Sequence, residues 1–180
     1  MSFMYETYER CLSAVKADGS LIRCVPDEHR THEVCLAAVT QHGQSLFSIS
    51  DEKKTVAICL AAVKQRGWAL IYVPMELRTY EVCLTAIKTC PPPFNKVPDE
   101  HKTPEMYLEM VRSNGGSLYY VPPEHQTSEM CFLAVKQNAW NLEYVSQSLR
   151  TPEICWEAVR RDLGVLRLSP YSVLELMSLV

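Results

Sequence analysis

Eight cysteines and five histidines are the residues of this 180-residue chain best suited to chemistry, and their spacing decides which chemistry is open to them. Cysteine can act as a nucleophile, a zinc ligand or half of a disulfide. Cys11, Cys35, Cys59, Cys83, Cys131 and Cys155 stand on a single ruler of 24 residues, with Tyr107 on the one remaining mark. Helices stacked at that interval lie roughly 8–10 Å apart, whereas a disulfide needs Cα atoms within about 4.4–6.8 Å. No Cys-x-x-Cys pair of the zinc type is present. The ruler cysteines therefore read as small buried hydrophobes, free thiols of a reducing compartment. Cys24 and Cys90 lie off the ruler. Either could be a nucleophile beside a histidine, but no local motif supplies one. His29, His101 and His125 share one repeat position, too far apart to share an ion held by bonds of about 2 Å. They read as solvated turn residues. The chain is read as non-enzymatic, with no catalytic or metal-binding set and no cofactor.

The charges lead to a similar exclusion. Lys16, Lys64, Lys88, Arg112, Lys136 and Arg160 form one periodic row, and Arg30, Lys54, Arg78, Lys102 and Arg150 form another. Glutamates at two other repeat positions match them in number, and the net charge is −3. A nucleic-acid reader carries a net basic face, so these rows are assigned to helix capping and pairing between repeats. No apolar run approaches the ~18 residues of a membrane span. Met1-Ser2-Phe3-Met4-Tyr5-Glu6 lacks the basic and apolar regions of a secretory signal. The expected setting is the cytoplasm, with no nucleic acid and no membrane as partner.

The elements that position these residues repeat with the same period, the signature of a stacked array. Each unit reads T-x-E-φ-C-L-x-A-V-K-x-x-G-x-x-L-x-Y-V-P. Thr31 and its equivalents suit the N-cap, and Pro104 and Pro152 the first helical position. Val34, Cys35, Ala38 and Val39 make one apolar stripe, with Leu60 also expected in the core. Gly19, Gly43, Gly67 and Gly115 are expected to supply a left-handed stop, giving a helix of about eleven residues. Leu70 and Val73, three apart, suit a short helix or a 3₁₀ turn. A strand over Ala69-Leu70-Ile71-Tyr72-Val73 is the alternative. The expected fold is all-α: a right-handed solenoid of about seven units in one domain over residues 1–180. The units fall near 7–30, 31–54, 55–78, 79–102, 103–126, 127–150 and 151–170, with a one-residue slip of phase at Gly164. Residues 171–180 form a closing helix.

Glu129-Met130-Cys131-Phe132-Leu133-Ala134-Val135-Lys136-Gln137-Asn138, with Leu142-Glu143-Tyr144-Val145 and the matching blocks elsewhere, resembles a bacterial 24-residue Cys-centred repeat family of unknown function. Multi-copy members of that family recur in host-associated bacteria, and some belong to secreted effectors. The resemblance implies a bacterial effector or effector fragment, translocated into a host cell, and brings no catalytic residues. It spans roughly residues 5–170, and Cys90-Pro91-Pro92-Pro93-Phe94 departs from it.

Positions constant in every unit are explained by folding, so binding is sought where units differ. Trp68 with Tyr72 and Trp140 with Tyr144 occur together in two units, as i,i+4 pairs able to anchor a partner. Pro92 and Phe94 mark the proline run, where a bend near residues 90–96 is expected. Ser178-Leu179-Val180 fits the carboxylate ligands that add a strand to PDZ-type domains. The functional reading is a protein-binding scaffold with an unidentified protein partner. The alternative is a spacer array with weak self-association.

Overall fold

The computed structural model describes residues 7–90 and 94–178. Met1–Glu6, Pro92 with the rest of the proline run, the bend expected there, and the Leu179-Val180 end of the carboxylate motif lie outside the described residues. The chain divides into two compact units, Met1–Lys102 and Thr103–Val180.

Unit 1 contains α1 (Tyr8–Ala17), α2 (His32–Gln41), α3 (Val56–Gln65) and α4 (Tyr80–Thr89). Unit 2 contains α5 (Pro104–Ser113), α6 (Ser128–Gln137), α7 (Pro152–Val159) and the closing helix α8 (Val173–Met177). Among the described residues there is no strand. Each helix starts where the repeat supplies a cap: the threonine side chain accepts from the third helical N–H, as at Val34 (3.4 Å) and Val82 (3.3 Å). Thr79→Ala is expected to cost about 1 kcal/mol and to raise hydrogen exchange in α4 before distant repeats, since a stack transmits loss mainly to its neighbours. Uniform loss across unit 1 would contradict that picture.

After α1, α2 and α3 the chain of unit 1 turns into the six-residue 3₁₀ segments Gly19–Cys24, Gly43–Ser48 and Gly67–Tyr72, and the segment described after α4 is Phe94–Lys96. Gly115–Tyr120, Ala139–Tyr144 and Leu163–Leu168 are the counterparts in unit 2. Three residues per turn bring Leu70 and Val73 to one side, and both are buried. A three-residue turn, Asp27–His29 in the first repeat, then leads to the next threonine. Within each unit the helices pack on one another, and the six-residue 3₁₀ segments form a second layer against them. Helix stripes such as Ile58, Cys59, Ala62 and Val63 fill the space between the layers. Leu60 is only half-buried, because the residue after the cysteine sits at the margin of this stripe.

The glycines do not work as expected: among the described residues none has a positive φ. The α3 helix ends at Arg66, whose extended backbone (φ −153°, ψ 108°) still donates its N–H to Ala62. Gly67 comes next, and it is small because the following repeat presses on it. A Cβ there would lie 2.1 Å from the Cys90 carbonyl and 2.3 Å from that of Ala86. Gly19 and Gly43 meet the carbonyls of Ala38 and Ala62 in the same way. Their N–H groups donate to Gln41 and Gln65 of the next helix, at 2.7 and 2.8 Å.

The phase slip at Gly164 is also corrected. The final 3₁₀ segment begins in register at Leu163, which takes the glycine position and is 70% exposed. The element after it is the short helix α8 and not another 24-residue repeat, and the Leu163 side chain stays in water.

Candidate functional site

The ruler cysteines are all free and buried, while Cys24 and Cys90 are free and exposed. Burial pushes the thiols of Cys59, Cys83 and Cys131 up to about 11. The Cys35 and Cys83 thiols donate weakly to the carbonyls of Arg30 and Arg78, at 3.6 and 3.7 Å. Cysteine suits this spot because it fills the stripe and still offers a donor to the residue before the cap. Two of the turn histidines lean on aromatic rings. His101 meets Tyr80 edge-on at 6.1 Å, and His125 stacks on Tyr107 at 5.5 Å. Among the described residues no group of three or more His, Cys, Asp or Glu side chains converges as a metal would require.

One basic row has a clear structural task. Arg30 donates to the carbonyls of Val25 (2.9 Å) and of Ser48 in the next repeat (3.1 Å). Arg78 does the same with Val73 and Lys96, and Arg150 with Val145 and Leu168. These side chains join the ends of successive 3₁₀ segments, whose last carbonyls lack a partner within the helix. In the repeat that lacks the basic residue, Gln126 reaches Val121 and Tyr144 instead. Charge at this position thus serves the stack.

The candidate site is on the outer edge of the 3₁₀ layer. Trp68 and Tyr72 are on a 3₁₀ segment, so the α-helical i,i+4 geometry expected for them does not apply. Tyr72 instead packs on Phe47 of the preceding repeat, ring centres 5.2 Å apart. Trp68 and Tyr72 line a cavity of about 210 Å³ with Gln44, Arg66, Ala69 and Ile71. Arg66 reaches back to Gln44 across the repeat boundary at 3.1 Å.

Unit 2 carries the equivalent pair: Tyr119 of one repeat packs on Tyr144 of the next at 5.5 Å, with Tyr120 beside it. Trp140 is tied into the following repeat, donating its indole N–H to Asp162 (2.8 Å) under the guanidinium of Arg167. Phe94 does not belong to this surface. It is 5% exposed, occupies the position of Leu70 and Leu118, and forms part of the core. Its ring is covered by Lys102.

Phe47, Tyr119 and Tyr120 escaped the sequence reading although they are 70, 67 and 56% exposed. A period of three applied from Leu46 and Leu118 would have turned these neighbours outward. The α-helical interval instead pairs Trp68 with Tyr72 and Trp140 with Tyr144 and passes over them.

Helix and 3₁₀ layers repeated every 24 residues, with inter-repeat staples and a varied outer edge, define an all-α repeat protein of the solenoid kind. The chain belongs to the family described as Domain of unknown function (DUF4116), which matches residues 8–52, 57–102, 79–126, 103–150 and 127–173. Each match takes in about two of the 24-residue repeats. No curated protein and no solved structure matches the chain. Among the described residues no helix is long and apolar enough to cross a membrane.

Proposed function

We propose that this chain is a non-enzymatic protein-binding scaffold that works through the outer edge of its 3₁₀ layer, in the effector setting that its family resemblance implies. The observation that carries the reading is the division of labour along the repeat. The threonine caps, apolar stripe, Gly67-type contacts and Arg30-type staples are all engaged in folding. The rings of Phe47, Trp68, Tyr119, Tyr120 and Tyr144 stand exposed at positions where the repeats differ. Aromatic side chains give large contact area at low entropic cost and are preferred interface anchors.

The test is photo-crosslinking with a benzophenone amino acid at position 47 or 119, and at Lys64 on the helical face as control. A protein cross-linked from 47 or 119 and absent from the Lys64 control supports the scaffold. Equal capture from all three positions overturns it. Products that are only copies of this chain, with mass rising with concentration in light scattering, support instead a self-stacking array. The exposed Leu163, Leu174 and Met177 in unit 2 favour that second reading.

A further inference from the structure

The two aromatic edges differ in charge, and the difference selects a partner for one of them. In unit 1 the Trp68–Tyr72 cavity has the exposed Arg66 on its wall. Arg23 occupies in the first repeat the place that Phe47 and Ile71 take in the second and third. Lys96 occupies in the fourth repeat the place of Tyr72. Lys54 runs beneath Tyr72, donating to its carbonyl at 2.8 Å, with its charge paired to Asp51. At the positions equivalent to Arg66, Trp68, Ile71 and Tyr72, the described acid of unit 1 is Asp18. Its carboxylate is turned onto its own backbone at Ser20. This edge is therefore basic in a chain whose net charge is −3. In unit 2 the same positions carry Glu143 and Asp162 against Arg167, and Trp140 is already held by Asp162 and Arg167.

The cavity is smaller than the roughly 300–1,000 Å³ of small-molecule sites, and its size suits one large side chain. Beside it, Phe47 packed on Tyr72 continues an apolar shelf into the preceding repeat. A pocket with Trp68, Ile71 and Tyr72 on one part of its wall and Arg66 and Gln44 on the other, a shelf leading away from it and cations along both sides suit an extended chain that carries carboxylates around an apolar anchor.

We propose that unit 1 binds an acidic peptide segment, seating a leucine- or phenylalanine-sized side chain between Trp68 and Tyr72 with flanking carboxylates on Arg66, Arg23 and Lys96. This rests on the scaffold reading and names the partner chemistry for one of its two edges. Glutamates on the partner reach the cations while the anchor displaces water from the cavity. Salt weakens the first contribution and leaves the second.

Three fluorescein-labelled peptides of about ten residues test this against the whole chain by anisotropy. One places leucines among glutamates, and the others replace every glutamate with serine or with lysine. The acidic peptide is expected to bind about tenfold tighter than the serine peptide, with the margin closing as salt is raised. The lysine peptide is expected to show no saturable binding. Arg66→Asp is suited to the fold, because Asp18 and Asp162 stand at equivalent positions and cap their 3₁₀ segments. It should weaken the acidic peptide about tenfold, as should Trp68→Ala, since Ser20 and Gly116 hold that position elsewhere. Trp140→Ala should leave binding unchanged.

Equal binding of the lysine peptide, or no response to Arg66→Asp, overturns the proposal. So does loss on Trp140→Ala in place of Trp68→Ala. A partner that cross-links at position 47 through a basic segment, with no binding of the acidic peptide, overturns this inference and leaves the scaffold standing.

Discussion

Raising the pH from about 8 to about 10 is expected to remove about 3 kcal/mol of stability from unit 1 through two thiols, Cys59 and Cys83. Both are fully buried, and burial raises each from 9.0 to about 11 because a thiolate would be stranded in the apolar layer. The sign follows from where the proton is held. Between pH 9 and 11 the unfolded chain has released it and the folded chain has not. The unfolded state therefore binds fewer protons, and stability falls as pH rises. Below pH 9 both states are protonated and the contribution is complete. Each thiol loses about 1.4 kcal/mol per pH unit in that window, and Cys131 adds its own share in unit 2. Denaturation by urea at several pH values gives the slope, which counts protons. The informative comparison is with Cys59→Ala/Cys83→Ala, which isolates the two thiols from every other group in the chain. The variant should start less stable and show a slope shallower by about two protons between pH 9.5 and 10.5. Parallel slopes would mean that these thiols ionise freely in the folded protein.

Gly67→Ala is expected to cost about 3 kcal/mol, at the upper end of the usual range for overpacking. The Cβ would stand 2.1 and 2.3 Å from two carbonyl oxygens and 2.9 Å from a backbone nitrogen. All three belong to the backbone of the next repeat, so no rotamer change relieves the contact. The fourth repeat must move as a body or the Gly67–Tyr72 segment must open. Gly116→Ala is the control: its Cβ would meet only the Asn114 and Asn141 side chains, at 3.4 and 3.9 Å. That substitution should be neutral or stabilise by about 0.5 kcal/mol through the unfolded state. Equal effects of the two changes would show that the glycine serves chain flexibility and not the packing of repeats.

The chain itself contains a related case. Ala139 stands in the glycine position, and the helix that follows it, α7, is eight residues long where the others on the ruler have ten. Arg161 replaces the glutamine that accepts from the glycine N–H at Gly19, Gly43 and Gly115. Arg161 turns instead to the buried carboxylate of Glu157, which it shares with Arg160. Burial pushes that carboxyl up, but the two guanidiniums outweigh burial and hold it below the usual carboxylate range. Ser146 shows a smaller local misfit. It replaces the proline found at 26, 74, 98, 122 and 170, and its hydroxyl is buried without a hydrogen-bond partner.

Most of the fold was legible in the sequence because its determinants are local and repeated. A threonine cap followed by apolar residues at i, i+1, i+4 and i+5 specifies where a helix starts and which face it buries. These contacts lie within about one turn of the residues that make them. Thr55, Ile58, Cys59, Ala62 and Val63 illustrate the point. The candidate site was legible only in part. Residue type alone points to Trp68, Tyr72, Trp140 and Tyr144, but it places the buried Phe94 on the surface and passes over the exposed Phe47. Both errors come from two neighbouring places in the repeat, those of Leu70 and Ile71, where a 3₁₀ period carries one side chain inward and the next outward.

The sequence by itself determined the 24-residue period, the all-α character, the caps, the free thiols and the family, since each depends on residue types at short separations. The tertiary structure alone decided what the glycines and the basic row are for. Gly67 is small because of Cys90 and Ala86, more than a full helix away. Arg30 spends its guanidinium on Ser48 in the next repeat and on Val25, carbonyls that no charge count reveals. Which aromatic ring faces water was settled in the same way, by the pairing of Phe47 with Tyr72 and of Tyr119 with Tyr144 across repeat boundaries. Those contacts join residues one repeat apart. Only the way the layers stack brings such residues together.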